Sequence, residues 1–385
     1  MANRSNPQHC PALAVDTVMV TGGYGFIGSH LTRYLLESGI ERVVNVDCLT
    51  YAGNTSNLLD QTGNPAYHAH RVDVADTVQM TSLMRQYQPT IVLHLAAESH
   101  VDRSIDGASR FVHSNVAGTL GMLQAFQSIH DAADPPRRAS MRFVHVSTDE
   151  VFGVAEPGTS FSPNSPYAPR SPYAASKAAA DHLVDAWHHT HGLPTIITHA
   201  TNNYGPHQHP EKFIPTVILT ALAGNNIPVY GDGCQIRDWM HVTDHVAALV
   251  HVAAGGQIGQ RYLIGAENPL RNLDVVHSIC QILDSTAPSS DGTSYASRVR
   301  HVVDRPGHDR RYAVDADATR IQLNWSPQVS WRRGIEDTVQ WYLENPNWWW
   351  SVLAASDGLR RRGLTKNTTS DIESSVEPDK GITGE

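Results

Sequence analysis

The chain of 385 residues carries 29 Lys and Arg against 38 Asp and Glu, a formal net charge of −9, and 41% of its residues are hydrophobic. This composition is typical of a soluble globular protein with one large or two modest domains, and without a basic block it gives nucleic-acid binding little electrostatic support. No stretch approaches the roughly 18–20 apolar residues that span a bilayer, so we expect no membrane partner.

The N-terminal segment, residues 1–15, is polar with scattered prolines and is predicted to be loosely ordered. It lacks the positively charged lead and apolar core of a secretion signal. The cysteines at 10, 48, 234 and 280 form no Cys-x-x-Cys pair, which favours reduced thiols over a disulfide framework or a zinc site. We therefore expect a cytoplasmic protein without a metal.

A strand, a glycine-rich turn and a helix follow one another in residues 17–38. The apolar, β-branched run 17–21 predicts a buried strand. It is followed by Gly22, Gly25 and Gly28, and residues 26–38 have the apolar spacing of a helix. Glycines at this spacing allow a tight turn, close approach of the backbone to a pyrophosphate and close helix–strand packing. The helix N-terminus would hold the phosphates; the alternative is a structural turn without a ligand.

The second predicted strand, residues 42–46, ends in Asp47. A carboxylate at this place in a dinucleotide-binding unit can accept hydrogen bonds from the ribose 2′-hydroxyl, which favours NAD over NADP as the cofactor.

Further strands are predicted at 90–97, 141–147 and 194–198, with helices between them. This alternation predicts an α/β fold with a doubly wound, parallel, Rossmann-type sheet. We expect an NAD-binding domain over residues 16–201, with some return of the chain near 239–256. A smaller lobe over 202–345 would bind substrate at the carboxyl ends of the strands. We expect the last ordered helix at 334–344, and a tail at 346–385 that is disordered over 366–385.

The segment from Thr148 to Lys177 combines two pairs of reactive side chains. Tyr173 and Lys177 lie four residues apart, so they share one face of a helix. A nearby ammonium is expected to lower the pKa of the tyrosine, which suits proton removal during hydride transfer. Asp149 and Glu150 suit proton abstraction and loss of water; the alternative for them is a helix-capping acid and a solvated neighbour.

Six groups of residues resemble the extended short-chain dehydrogenase/reductase family, and within it the nucleotide-sugar dehydratases that act on dTDP-glucose. The resemblance covers roughly residues 16–345. The most specific segments are 94–105 (HLAAESHVDRSI), 147–153 (STDEVFG), 173–177 (YAASK), 202–206 (NNYGP) with 210–212 (PEK), 231–233 (GDG) with 237–239 (RDW), and 304–308 (DRPGH).

The resemblance implies a complete reaction. Tyr173 would take the proton of the sugar 4-hydroxyl while hydride leaves C4 for NAD, and Thr148 would hydrogen-bond the same oxygen. Glu150 would then remove the C5 proton, Asp149 would protonate the departing 6-hydroxyl, and hydride would return to C6. Two adjacent carboxyl groups in different roles need separated pKa values.

The resemblance also implies binding residues. Besides Gly22, Gly25, Gly28, Asp47, Tyr173 and Lys177, the cofactor contacts would be Phe26, Ile27, Cys48, Leu49, Thr50, Asp73, Val74, Leu95, Ala96, Ala97, Ser99, Ser114 and Asn203. The contacts to the nucleotide-diphosphate sugar, for which dTDP-glucose is the first candidate, would be Ser99, Thr148, Asn202, Lys212, Phe213, Pro228, Val229, Tyr230, Arg237, Asn272, Arg305 and His308. The cations among them suit a diphosphate.

Two helices, at 109–129 and 173–190, resemble the pair through which such enzymes form two-fold dimers, so a homodimer is expected. Two histidines depart from the family pattern, since His199 stands where Arg is usual and His241 stands near a usual Tyr; Ser114 also replaces a usual Thr, and the C-terminal tail is longer than expected. His188, His189 and His191 form no metal-binding pattern and are expected at the surface.

Asp149 separates the main alternatives. A nucleotide-sugar 4-epimerase would need no acid pair at 149–150, whereas a UDP-glucuronate decarboxylase or a GDP-mannose dehydratase typically has Thr-Ser-Glu there. A UDP-, GDP- or CDP-sugar could replace the dTDP-sugar. A non-catalytic NAD-binding sensor could have lost Tyr173 or Lys177, and this chain retains both.

Overall fold

The computed structural model of the chain describes Pro11, residues 13–355 and Gly358. Most of the N-terminal segment predicted to be loosely ordered, and all of the predicted disorder at 366–385, therefore lie outside the described residues.

The strands follow in chain order, all within the described part of the chain: β1 (Thr17–Thr21), β2 (Arg42–Asp47), β3 (Tyr67–Arg71), β4 (Ile91–His94), β5 (Arg142–Thr148), β6 (Thr195–Ala200), β7 (Asn202–Tyr204), β8 (Ile227–Tyr230), β9 (Ile236–His241), β10 (Arg261–Ile264), β11 (Pro269–Arg271) and β12 (Val299–Val302).

The helices are α1 (Phe26–Glu37), α2 (Thr77–Tyr87), α3 (Val101–Asp106), α4 (Ala108–Phe111), α5 (Gly118–Ala132), α6 (Pro135–Ser140), α7 (Pro172–His191), α8 (Phe213–Leu222), α9 (Val242–Gly255), α10 (Asn272–Thr286), α11 (Asp317–Leu323), α12 (Trp331–Glu344) and α13 (Pro346–Ala354). A π-helical turn, Val112–Ala117, joins α4 to α5, and 3₁₀ turns occupy Thr55–Gln61, Asp149–Phe152 and Tyr295–Arg298.

Seven parallel strands form the central sheet in the spatial order β10-β6-β5-β4-β1-β2-β3. Strands β1 and β4 are buried along their whole length and mostly apolar, as expected for a sheet covered on both faces. Helices α1 and α9 pack on one face, and α2, α5 and α7 pack on the other. The prediction of a doubly wound, Rossmann-type α/β fold is thus confirmed.

The direction of winding reverses between β1 and β4, because β2 and β3 lie on one side of β1 and the later strands lie on the other. In open α/β sheets the carboxyl ends of the strands on either side of such a point diverge and leave a crevice for ligands. The fold therefore places a binding cleft above β1 and β4.

A smaller lobe has its own apolar core, formed by residues of α8, α10 and α12 with β8 and β9. It also contains a three-stranded sheet, β11-β9-β7, and a parallel pair, β12-β8. The chain returns from this lobe to the main sheet as α9 and β10, so the return extends to Ile264, beyond the predicted 239–256.

The predicted strands and helices differ from the observed ones mainly at their ends. The strand predicted at 17–21 is β1, and the helix predicted at 26–38 is α1, which ends at Glu37. The helix predicted at 109–129 is three pieces, because a π-helical turn interrupts it. The prediction that 334–344 is the last ordered helix is wrong, since α13 follows α12 directly. No helix in the described residues is both long and apolar enough to span a bilayer.

Candidate active site

A cleft opens at the carboxyl edge of the sheet, at the point where the winding reverses. Nearly all the residues predicted to bind cofactor line it; Leu49 alone among them does not. The wall carries Gly22, Gly25, Phe26, Ile27, Gly28, Asp47, Cys48, Thr50, Asp73, Val74, Leu95, Ala96, Ala97, Ser99, Ser114, Tyr173, Lys177 and Asn203. Residues from positions 22 to 203 of the chain thus meet in one continuous depression.

The glycine-rich turn is built so that side chains would not fit. Gly22 has a φ of +72°, a conformation that favours glycine. A Cβ on Gly28 would lie 2.1 Å from the Gly22 carbonyl oxygen, so α1 can begin this close to β1 only without a side chain there. The first turn of α1 therefore presents unpaired backbone N–H groups at the cleft, as an anion site requires.

Asp47 lines the cleft at the end of β2. Its carboxylate accepts hydrogen bonds from the backbone N–H groups of Tyr24 (3.0 Å) and Leu49 (2.8 Å) and is buried. Burial raises the pKa of Asp47 and the two N–H groups oppose that rise. The carboxylate is held between the glycine turn and β2, where a ribose hydroxyl could donate to it.

Buried polar atoms in the cleft lack hydrogen-bond partners among the described residues. They include Asn202 Oδ1, His207 Nδ1, Gln208 Oε1 and His245 Nε2. Buried polar groups are nearly always hydrogen-bonded in folded proteins, so these atoms indicate a polar ligand. Together with the glycine turn and Asp47 they fit a dinucleotide with phosphates, ribose hydroxyls and a carboxamide.

The predicted carboxyl pair lies where β5 ends and a 3₁₀ turn begins. The Thr148 hydroxyl accepts from the Glu150 N–H (3.3 Å) and donates to Asp149 Oδ1 (3.4 Å), so one threonine organises both acids. Asp149 is 2% exposed, and its Oδ2 has no hydrogen-bond partner among the described residues. Burial, and next the charge of Glu150, raise the pKa of Asp149 well above its usual value.

Glu150 has a different electrostatic environment from that of Asp149. Burial raises its pKa, but the cations Arg305, Arg237 and Lys212 oppose the rise. Asp149 feels the negative charge of Glu150 more strongly than the positive charge of Arg237. The neighbouring acids therefore differ in the direction the sequence required: Asp149 favours its protonated form, and Glu150 is the carboxyl group that cations stabilise as an anion.

Tyr173 and Lys177 lie on the first turns of α7, which begins at Pro172 with Ser171 as its N-cap. The expected low pKa of Tyr173 is not found. Burial, and next the charge of Glu150, raise the tyrosine pKa. The Lys177 ammonium instead donates to the Val146 carbonyl oxygen (2.9 Å) and to His145 Nε2 (3.3 Å).

The residues predicted to bind substrate divide into two groups. Ser99, Thr148, Asn202 and Lys212 line the cleft, and Lys212 Nζ donates to the Ser99 carbonyl oxygen (2.9 Å). The others belong to the lobe or its border and lie outside the described lining: Phe213, Pro228, Val229, Tyr230, Arg237, Asn272, Arg305 and His308.

Within that second group the environments differ. Val229 is 1% exposed and packs in the core of the lobe, unlike its neighbours in β8. Arg237 lies over the Tyr312 ring, 4.1 Å from its centre, and Arg305 pairs with Asp102 (2.6 Å). Arg237 and Arg305 are both close enough to influence the charge of Glu150, so the lobe brings two arginines to the acid pair.

Several residues that line the cleft carried no signal in the sequence. Trp348 and Val352 come from α13, and the Trp348 indole donates to Asn57 Oδ1 (2.8 Å) across the cleft wall. His207 lines the cleft with a φ of +62°, and His245 lines it as a buried polar group. Glu98 also lines the cleft, but it lies inside the recognised motif at 94–105.

The two histidines that depart from the family pattern, His199 and His241, are buried. His199 Nε2 lies 3.0 Å from Asp181 Oδ2 and 2.9 Å from the Tyr167 hydroxyl. His241 caps α9, with Nδ1 2.8 Å from the Thr243 hydroxyl, and burial lowers its pKa to about 3. His189 and His191 are exposed and His188 is half-buried. No metal-binding group of His, Cys, Asp and Glu occurs within the described part of the chain.

Comparison with known proteins matches this chain to sugar-nucleotide 4,6-dehydratases. The family described as GDP-mannose 4,6 dehydratase matches residues 19–338. The dTDP-glucose 4,6-dehydratase of Xanthomonas campestris pv. campestris (strain B100) is 48% identical over 349 residues, which cover 91% of this chain and 99% of that protein. The dTDP-glucose 4,6-dehydratase 1 of Escherichia coli (strain K12) is 47% identical over 340 residues, covering 86% and 94%.

Solved structures agree with these relatives. DesIV, a dTDP-glucose 4,6-dehydratase from Streptomyces venezuelae with NAD bound, has a TM-score of 0.80 at 41% identity and covers 87% of this chain and 99% of its own. A UDP-glucose 4-epimerase from Thermus thermophilus in complex with NAD is more distant, with a TM-score of 0.74 at 27% identity over 86% of this chain and 99% of its own.

Proposed function

Since this chain belongs to the GDP-mannose 4,6-dehydratase family, we propose that it is an NAD-dependent hydro-lyase that converts dTDP-glucose to dTDP-4-keto-6-deoxyglucose. The relatives at 46–48% identity that cover 85% or more of the chain carry the name dTDP-glucose 4,6-dehydratase. The observation that supports the chemistry is the buried Asp149 beside Glu150. A dehydration needs a base that removes a proton from one carbon and an acid that protonates the hydroxyl on the neighbouring carbon.

NAD is the cofactor, and when bound it accepts hydride from C4 of the sugar and returns hydride to C6. The glycine turn before α1 would hold its pyrophosphate and Asp47 its adenosine ribose. Lys177 uses two of its three N–H donors on Val146 and His145, which leaves one for a group in the cleft.

The proton transfers are assigned to this chain's own residues. Tyr173 takes the proton of the 4-hydroxyl, and the Thr148 hydroxyl hydrogen-bonds the same oxygen. The resulting ketone acidifies the C5 proton, which Glu150 removes; after exchange with solvent, Glu150 returns a proton to C5 when hydride returns to C6. Asp149, whose pKa burial raises, donates its proton to the departing 6-hydroxyl, so water leaves rather than hydroxide.

The lobe supplies the positive charge that a nucleotide diphosphate needs. Arg237, Arg305 and Lys212 all lie near Glu150, and each is buried or half-buried. Arginine is suited to bidentate contacts with phosphate and lysine to a point contact. We propose that these three side chains hold the diphosphate, with Asn202, Phe213, Pro228, Tyr230, Asn272 and His308 as further contacts to the nucleotide sugar. Val229, whose side chain packs in the core of the lobe, could offer only its backbone.

The decisive experiment is incubation of the purified protein with dTDP-glucose in deuterated water, followed by mass spectrometry and proton NMR. The proposal requires loss of one water, deuterium at C5 and a new C6 methyl group. UDP-, GDP- and CDP-linked hexoses are the matched controls for the nucleotide. An inverted C4 without loss of water would instead indicate the 4-epimerase reaction, and an unchanged sugar in every case would contradict the proposal.

We also propose that the protein is a cytoplasmic homodimer. The free thiols of Cys48, Cys234 and Cys280 are typical of a reducing compartment. The π-helical turn and α5 present Val112, which is 55% exposed, and the half-buried Val116 and Leu120 along one edge. Light scattering should give twice the chain mass at micromolar concentration, and Val112→Glu should reduce it; a monomeric wild type would overturn the dimer.

A further inference from the structure

The Lys177 side chain is enclosed by the protein on every side except the cleft. Only 3% of the residue is exposed, and its ammonium lies between β5 and α7, bonded to Val146 and His145. A buried ammonium loses its hydration, so burial lowers the pKa of Lys177 to about 8. Without a compensating charge the lysine would be partly neutral at the pH of a cell.

Asp181 lies one helical turn beyond Lys177 on α7, so the two side chains share a helix face. Asp181 is 0% exposed. Its Oδ2 accepts from the Ser147 hydroxyl (2.8 Å), the Tyr167 hydroxyl (3.0 Å) and His199 Nε2 (3.0 Å). These donors surround a carboxylate that the reaction does not use.

His145 lies between the Lys177 ammonium and the Asp181 carboxylate. Its Nε2 lies 3.3 Å from Lys177 Nζ and 3.2 Å from Asp181 Oδ1, so the imidazole stands between the ammonium and the carboxylate. Burial lowers the pKa of His145 to about 4, which keeps the ring neutral. In a neutral ring, the Nε2 that accepts from Lys177 carries no proton for Asp181 Oδ1, which has no hydrogen-bond partner among the described residues. The Asp181 carboxylate therefore acts on the ammonium by its charge.

The other titratable groups around Lys177 cannot replace Asp181. His94 on β4 is buried, and burial, with His145 and Lys177, lowers its pKa well below the usual value. His199 on β6 hydrogen-bonds Asp181, and Tyr173 faces the cleft from the same helix as Lys177. Asp149 and Glu150 after β5 also line the cleft, but the one charge that favours the Lys177 ammonium is that of Asp181.

We propose that Asp181 is a positioning residue of this enzyme: its negative charge, one helical turn from Lys177 and across His145, keeps the Lys177 ammonium charged and fixed beneath the cleft. This inference rests on the proposed function for its catalytic meaning. Ser147, Tyr167 and His199 hold the carboxylate ionised, the carboxylate holds the ammonium, and the ammonium favours the phenolate form of Tyr173 during proton removal.

The need for such support follows from the surroundings of Tyr173. Burial and the charge of Glu150 both disfavour its phenolate. A cation that lost its own proton near neutral pH could not offset them. Asp181 thus extends the pH range over which Lys177 can assist the tyrosine.

Lysine NMR can test the proposal directly, because the chain has only four lysines, at positions 177, 212, 366 and 380. Protein labelled with ¹³C at lysine Cε is titrated without substrate, and the Lys177 signal is assigned by its loss in Lys177→Arg. We expect Asp181→Asn to shift the Lys177 titration downward by about one pH unit or more, as the loss of a nearby opposite charge should. Asp185→Asn is the matched control, since Asp185 lies on the same helix but pairs with Arg261, and it should leave the titration unchanged.

Two further variants keep the test decisive if Asp181→Asn does not fold. Tyr167→Phe removes one donor to Asp181, and His145→Gln removes the connecting ring; each should shift the Lys177 titration in the same direction by a smaller amount. An unchanged Lys177 titration in Asp181→Asn, or in both other variants, would overturn the proposal.

Turnover supplies the second readout. In Asp181→Asn the alkaline limb of the kcat profile against pH should move to lower pH, while KM for dTDP-glucose stays unchanged. A uniform loss of activity with an unmoved profile would indicate a purely structural carboxylate. If the wild type does not convert dTDP-glucose, the proposed function fails, whereas the lysine titration still decides the role of Asp181.

Discussion

Asp149 and Glu150 are neighbours in sequence, yet their surroundings act differently on their pKa values. Asp149 is enclosed, with one oxygen unpaired within the described residues, whereas Glu150 lies near three cations. Desolvation and a like charge raise a carboxyl pKa, and opposite charges lower it. The difference between an acid and a base at this site therefore comes from packing and not from residue type.

Replacing Asp149 by Asn should separate the steps of the reaction. The amide keeps the size of the side chain but cannot donate the proton to the leaving 6-hydroxyl. We expect kcat to fall about 10²–10⁴-fold, while bound NAD is still reduced on addition of substrate. Stopped-flow absorbance of the reduced nicotinamide measures this; the control Tyr173→Phe should show no reduction, and normal turnover by Asp149→Asn would contradict the assignment.

The same substitution should stabilise the fold at neutral pH. A carboxyl group whose pKa is raised by folding contributes stability that is complete at low pH and is lost as the pH rises through the folded-state pKa. At neutral pH Asp149 thus carries a penalty that Asn lacks. We expect Asp149→Asn to raise the Tm by a few degrees at pH 7, and this gain to vanish as the pH falls towards 4. A gain that is independent of pH would mean that charge is not its cause.

The residue types of the catalytic group could be predicted from sequence, but their electrostatics could not. The Thr148-Asp149-Glu150 and Tyr173/Lys177 patterns are local, so they can be recognised in the sequence. The raised pKa of Tyr173 depends on burial and on Glu150, and the support of Lys177 depends on Asp181 and His145. Such contacts join separate strands and helices, so spacing within one segment cannot reveal them.

At the scale of secondary structure, the turn between β1 and α1 illustrates what a local pattern can predict. Gly28 has no room for a methyl group, because a Cβ would meet the Gly22 carbonyl oxygen at 2.1 Å. Gly28→Ala should push α1 away from β1, cost about 1–3 kcal/mol of stability, and abolish NAD binding. Gly107→Ala is the control, since its extended backbone and open surroundings accept a side chain. Isothermal titration with NAD decides, and unchanged binding in Gly28→Ala would contradict the close packing.

Helix α13 could not be predicted to line the cleft. The chain after its three tryptophans becomes polar, so the sequence placed the end of the ordered structure before them. Only the folded molecule shows that Trp348 donates to Asn57, next to the glycine turn. The π-helical turn before α5 was missed for a similar reason, because a single extra residue in a helix leaves the apolar spacing almost unchanged.

Because α13 contacts the cleft wall, we predict that this helix helps to retain NAD. The reaction returns its hydride in each cycle, so NAD has no need to leave. We expect Trp348→Ala to accelerate NAD dissociation by about tenfold, because one hydrogen bond and the contacts of a half-buried ring are lost. Trp350→Ala is the matched control, because Trp350 is 46% exposed. Dissociation rates from competition with a fluorescent NAD analogue measure both, and equal rates for wild type and Trp348→Ala would contradict the retention role.

At the scale of the whole molecule, the main sheet and the lobe have separate apolar cores, but the chain returns from the lobe to the sheet as α9 and β10. β10 pairs with β6 at the edge of the main sheet, and α9 covers the face that also carries α1. The sequence predicted a return near 239–256, but it did not predict β10, a strand of four residues. Short edge strands have too few residues to show a pattern of their own.

This return of the chain predicts that the sheet and the lobe unfold together. A fragment of residues 1–201 would lack α9 and β10, leaving part of the apolar face that α1 packs on uncovered and the edge of β6 unpaired. We expect differential scanning calorimetry of the full chain to show one transition, with equal calorimetric and van't Hoff enthalpies per cooperative unit. The fragment should be unfolded or aggregated by circular dichroism and light scattering, because uncovered apolar faces associate. Two separate transitions, or a fragment that folds and binds NAD, would show instead that the lobe is an independent unit and that the return of the chain contributes little to the stability of the sheet.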